Sequence, residues 1–165
     1  MPIDPPCSRP EGMETRLLFP SLGRFYAATT PMAATLLRVA FGLTIMTHGV
    51  PKLLGTAHGS MTDPLAGSTD LIGTGLGLPF AGELAIFVVL LETFGGLAVA
   101  IGFATRLFAP MLAVQMAVIC VALGPTYPWI DRGIEYPLVL GVIALLISIQ
   151  GGGRWSADRL LGREL

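Results

Sequence analysis

A few side chains in this sequence can move a proton or hold a polar group, and most of them lie in apolar surroundings. Glu92 sits near the middle of Leu84–Ala104, an apolar run about as long as a bilayer requires. A carboxylate at such a depth costs about 2.5–3.5 kcal/mol on insertion scales. It persists where something offsets that cost, which makes Glu92 a candidate for proton exchange. His48 is the second candidate, because imidazole titrates near neutral pH. Lys52 follows His48 by four residues and shares its helical face. Arg38, Lys52, Gln115 and Glu135 are the candidates for holding a substrate, the two cations by polarising an oxygen.

Four apolar segments must position these groups. They are expected at about 32–54, 81–103, 107–123 and 134–150. Pro51 is expected to kink or end the first. The second and third are joined only by Ala104-Thr105-Arg106 and must form a tight antiparallel hairpin. Residues 55–80 are rich in Gly, Ser, Thr and Asp and read as a loop, with room for a short interfacial helix. Residues 1–31 read as a polar, proline-rich tail with an interfacial stretch near Leu17–Tyr26, and residues 151–165 as a second tail. Ser156 is placed to cap a short helix in that second tail.

Composition supports a membrane setting. The chain is 53% hydrophobic and 13% charged, where soluble domains carry about 25% charge. Segments two to four are apolar all round, which excludes a soluble bundle with polar outer faces. The fold class is therefore all-α: an integral membrane four-helix bundle. Arg9, Arg16, Arg24, Arg106, Arg154, Arg159 and Arg163 fall on one side of it, and Arg132 with Lys52 on the other. Both termini are then cytoplasmic. Tyr127, Trp129 and Tyr136 mark the outer interface and Trp155 the inner one. No signal peptide is recognised, so the first segment acts as an uncleaved anchor. A formal net charge of −1 gives no footprint for nucleic acid.

Converting position to depth puts Arg38 about 8 Å in from the cytoplasmic end of the first span and Glu92 about 16 Å from the outer end of the second. The long Arg38 side chain is expected to reach Glu92, with Gln115 as third partner. That pairing is open to two readings, a proton or ligand site and a structural clamp. A second cluster is expected at the outer mouth, where His48 and Lys52 meet Glu83, Asp131, Arg132 and Glu135. His58 reads as exposed. Small residues, Gly96 with Ala100, Ala98 with Gly102 and Ala113 with Ala117, suit close helix packing. Cys7 and Cys120 are too far apart to suggest a disulfide.

Several chemistries lack their motifs. Gly73-Thr74-Gly75-Leu76-Gly77 is not a dinucleotide fingerprint, and there is no phosphate-binding loop. Two histidines make a bis-histidine haem improbable, and no zinc or iron–sulfur spacing occurs, so no metal is expected. No covalently bound cofactor is expected either. Redox chemistry here would need a diffusible lipid such as quinone, or another subunit, as electron carrier.

Leu37-Arg38-Val39-Ala40-Phe41-Gly42, Thr47-His48-Gly49-Val50-Pro51-Lys52-Leu53, Glu92-Thr93-Phe94-Gly95-Gly96-Leu97 and Gly102-Phe103-Ala104-Thr105-Arg106 occur in that order. Glu135-Tyr136-Pro137-Leu138 and Gly151-Gly152-Gly153-Arg154-Trp155-Ser156-Ala157-Asp158-Arg159 follow. Together they resemble the DoxX family of small four-span bacterial membrane proteins over residues 33–160. The resemblance implies a multi-pass protein of the bacterial cytoplasmic membrane. Some relatives are subunits of thiosulfate:quinone oxidoreductase, and others are membrane partners of oxidative-stress and sulfur-transfer proteins. The expectation is a subunit or partner of a membrane oxidoreductase acting at the quinone pool, with redox subunits as partners and self-association allowed. A quinone head group would enter between the first two spans. The alternative is a non-catalytic anchor or assembly factor for a soluble partner. A solute carrier is disfavoured, since no inverted repeat is visible.

Overall fold

The computed structural model describes residues 18–59 and 61–162. Arg9, Arg16 and Arg163, expected on the cytoplasmic side, lie outside them, as do Cys7 and Leu17. Among the described residues the chain is helical, with one isolated bridge between His58 and Met61 and no strand. We number the helices α1 (Leu22–Leu54), α2 (Pro64–Asp70), α3 (Ala81–Ile101), α4 (Thr105–Leu123), α5 (Glu135–Gln150) and α6 (Ala157–Leu160). Three of them, α1, α3 and α4, are long and apolar enough to cross a membrane, and α5 is a shorter apolar helix.

The helix α1 begins at Leu22 rather than near Met32 and runs through both Pro31 and Pro51 to Leu54. Pro51 lies in the last turn, where its missing N–H removes a single bond. The helix then stops at Gly55, whose φ of 65° lets its N–H return to the Pro51 carbonyl. The other long helices start and stop within about two residues of the sequence expectation.

Within residues 55–80, Asp63 caps α2 by accepting from the Ala66 N–H, and Pro64 occupies the first helical position. A π-helical turn, Leu71–Gly75, continues α2 and brings it against α3 and α4. A second π-turn, Leu91–Gly95, interrupts α3 and carries Glu92. Such turns widen a helix locally and re-aim its side chains.

The helices pack as two close pairs, α1 on α3 and α4 on α5. Phe41, Ile45, Leu91, Val99, Leu112 and Ile147 belong to the buried core between them. The α1–α3 contact is close because its facing residues are small. A Cβ added at Gly42 would sit 2.6 Å from the Ala100 nitrogen, and one at Gly49 2.6 Å from the Thr93 nitrogen. Outside the core, Phe87, Val114, Val121, Val142 and Ile149 are more than half exposed. So broad an apolar exterior fits a hydrocarbon solvent rather than water.

Candidate functional site

Glu92 is 3% exposed, and both its oxygens are engaged. Lys52 Nζ donates to Oε2 at 2.7 Å, forming an ion pair, and Gln115 Nε2 donates to Oε1 at 2.7 Å. The three side chains come from α1, α3 and α4. The π-turn aims Glu92 between them, and Gly49, one turn before Lys52, lets α1 approach closely enough for the lysine to reach. A charged pair in low dielectric is retained when its remaining lone pairs are also bonded, and Gln115 fulfils that requirement for Glu92.

The expected Arg38–Glu92 pair does not form. Arg38 donates from Nη1 to the Val99 and Ala100 carbonyls at 2.6 and 2.7 Å, and from Nη2 to the Trp155 carbonyl at 2.7 Å. Helix register explains the difference. Gly49 of α1 lies against Glu92 and Thr93, and Arg38 is eleven residues from Gly49 along the helix, about 16 Å. That exceeds the reach of a guanidinium. The helix begins ten residues before Met32, so depth measured from Met32 does not locate Arg38. Instead, Arg38 meets the last turn of α3, where the helix dipole is negative; the Val99 carbonyl it bonds also accepts from the Gly102 N–H.

Around Arg38 the chain after α5 is stapled to the α3–α4 turn. Asp158 accepts from the Ala104 and Thr105 N–H groups at 2.7 and 3.1 Å, capping α4 from a distant part of the chain. Its own N–H donates to the Gly102 carbonyl. Ser156 caps α6, as its sequence position suggests. Gly102 has φ of 75°, and a Cβ there would lie 2.7 Å from Arg38 Nη1, so only glycine serves.

Two cavities flank the ion pair. The larger, about 520 Å³, lies between α3 and α4 beneath α2, and Lys52, Glu92 and Gln115 stand in its wall with Phe87, Leu91 and Val114. The smaller, about 350 Å³, is lined by His48, Lys52, Glu92, Met61, Arg132 and Tyr136. Lys52 and Glu92 are thus common to both. The expected route between the first two spans does not match this layout: the larger cavity is walled by the second and third, α3 and α4.

His48 is half-buried on the smaller cavity. His58 is not a free loop residue. Its ring stands edge-on to His48 at 5.6 Å, held by paired backbone bonds to Met61. Tyr136, read from sequence only as an interfacial aromatic, lies 6.1 Å from the His48 ring. Of the expected mouth cluster, His48, Lys52 and Arg132 come together. Glu83 and Asp131 are exposed and line neither cavity, and Glu135 is half-buried at the start of α5, also off both linings. Met61, Thr93 and the π-turn carry no sequence signal that would have placed them here. Among the described residues no group of three His, Cys, Asp or Glu side chains is arranged to hold a metal ion.

No curated protein and no solved structure matches the chain. A family model described as DoxX matches residues 33–125, which contain α1 from its second third onward, α2, α3 and α4, and so the whole Lys52–Glu92–Gln115 centre. That match covers more than half of the sequence, and the chain belongs to the DoxX family.

Proposed function

We propose that this protein is a subunit or partner of a membrane oxidoreductase acting at the quinone pool, embedded in the bacterial cytoplasmic membrane as four spans with both termini cytoplasmic. Helix α5 serves as the fourth span. At 16 residues it covers about 24 Å, which a thinner local bilayer or its flanking residues can accommodate. The described arginines Arg24, Arg106, Arg154 and Arg159 then lie on the cytoplasmic side and the smaller cavity faces outward.

One observation carries the reading: an apolar cavity of ligand size has a buried carboxylate, ammonium and amide in its wall. Phe87 and Val114 in the same wall are exposed on the outside of the bundle, so a lipid-soluble molecule has a lateral way in. In this scheme Lys52 polarises an oxygen of the head group and Glu92 exchanges a proton with it. His48, across the ion pair on the smaller cavity, exchanges protons with the aqueous side. Electrons come from a partner subunit. Arg38, occupied by three carbonyls, has no part in it.

The test is binding of decyl-benzoquinone to the purified protein in nanodiscs, with Lys52→Met/Glu92→Gln, which leaves no unpaired charge, as control. Saturable binding, lost in a variant that accumulates like the wild type, supports the reading. Absence of quinone binding, alone or with its partner subunits, contradicts it. The docked C-terminal segment favours a second reading, an anchor presenting its tail to a soluble protein. Loss of abundance together with activity in Lys52→Met/Glu92→Gln would favour that one.

A further inference from the structure

In the Lys52–Glu92–Gln115 centre each carboxylate oxygen has a partner and the amide oxygen has none. An ionised carboxylate only accepts, so Gln115 must turn its NH₂ toward Glu92, and this fixes the amide orientation. The amide oxygen Oε1 is left over. It is buried, it has no hydrogen-bond partner, and it belongs to a residue 8% exposed that lines the larger cavity. Lone buried acceptors are uncommon and costly. No residue of the cavity wall donates to it. Its residues are mostly aliphatic, and its one hydroxyl, on Ser68, already donates to the Pro64 carbonyl. Lys52 also lines the cavity, with only one of its three N–H donors used by Glu92.

The geometry points to a ligand that is apolar in its body and carries a hydroxyl, which donates to Gln115 Oε1 while its oxygen accepts from Lys52. This rests on the proposed quinone-pool reading and refines it. The reduced, hydroxyl-bearing form of a quinone supplies the donor. The oxidised form presents only acceptors and leaves Gln115 Oε1 unpaired. The cavity therefore holds the reduced form more tightly. A lipid alcohol offers the same hydroxyl chemistry without the ring.

Two matched pairs of redox-inert probes test this on the full chain in nanodiscs, with binding measured against empty discs. They are 4-octylphenol against 4-octylanisole, and 1-dodecanol against its methyl ether. The wild type should bind the phenol about tenfold more tightly than the ether, the effect of one satisfied buried acceptor. Gln115→Met should bring that ratio near one. Equal affinities in the wild type for both matched pairs overturn the inference, and so does a ratio that survives Gln115→Met. The wild-type ratios decide the matter if the variant fails to accumulate. Val118→Trp, which fills the cavity from its exposed wall, should weaken both members of a pair equally, and unchanged binding overturns the location. Discrimination between the alcohol pair alone keeps the hydroxyl inference and removes the quinone reading. Decyl-benzoquinone binding with no discrimination in either pair does the reverse.

Discussion

The molecule buries two polar centres, one at each end of the α1–α3 contact, and they are built on different principles. At one end Arg38 binds three backbone carbonyls, and Asp158 binds two backbone N–H groups. Every partner there is main chain, so the centre fixes where the α3–α4 turn and the C-terminal segment lie. At the other end Lys52, Glu92 and Gln115 bind one another through side chains alone. Cavities adjoin that centre on both sides, and an acceptor in it is left unpaired. Arg38 Nε also lacks a partner, yet Arg38 lines neither of the two cavities at the ion pair. Both centres are charged and buried. The difference lies in whether the neighbours are backbone or space, and the second centre has room for a ligand beside it.

Removing Arg38 should have the largest effect on the fold. Arg38→Leu removes three hydrogen bonds to carbonyls and should cost more than about 3 kcal/mol, each charge-assisted bond contributing about 1.5–3. A steep fall in thermal stability in detergent and in membrane accumulation would show it. Near-normal stability would break the contrast by making Arg38 dispensable to the frame.

Glu92→Gln comes next. It leaves the Lys52 ammonium buried without its counter-charge and should destabilise by about 3 kcal/mol. Neutralising both partners in Lys52→Met/Glu92→Gln should recover most of that loss. A double variant no more stable than the single would place the second centre in the frame as well.

A smaller effect is expected at Gly49. Gly49→Ala pushes a methyl against the Thr93 backbone and should cost about 1–3 kcal/mol, with the loss of stability and of ligand affinity moving together. The smallest falls on His48. His48→Gln, half-buried against a cavity, should shift stability by about 0.5 kcal/mol or less while altering proton exchange at the site. Hydrogen–deuterium exchange at the α1 end and quinone-linked proton uptake would separate the two readouts.

The helices were legible in the sequence because apolar runs of spanning length have few other uses. Glu92, Lys52, His48 and Gln115 stood out for the same reason, as polar groups where polar groups are costly. Their pairing was not legible. It depends on the register of α1 against α3, which Gly42 and Gly49 set by close approach, and no periodicity reveals which glycines face a partner. The start of α1 at Leu22 was hidden because residues 1–31 read as a polar, proline-rich tail, although the helix begins after Pro20 and absorbs Pro31. The Asp158 cap was missed because its partners lie more than fifty residues earlier in the chain. His58 read as exposed for want of any signal that its loop folds back on α1.

The claim that the Lys52–Glu92 centre is a site and the Arg38 centre a frame is tested most directly by decyl-benzoquinone binding to Lys52→Met/Glu92→Gln in nanodiscs. The account predicts a variant that melts close to the wild type and no longer binds the quinone. Wild-type affinity in that folded variant would contradict it.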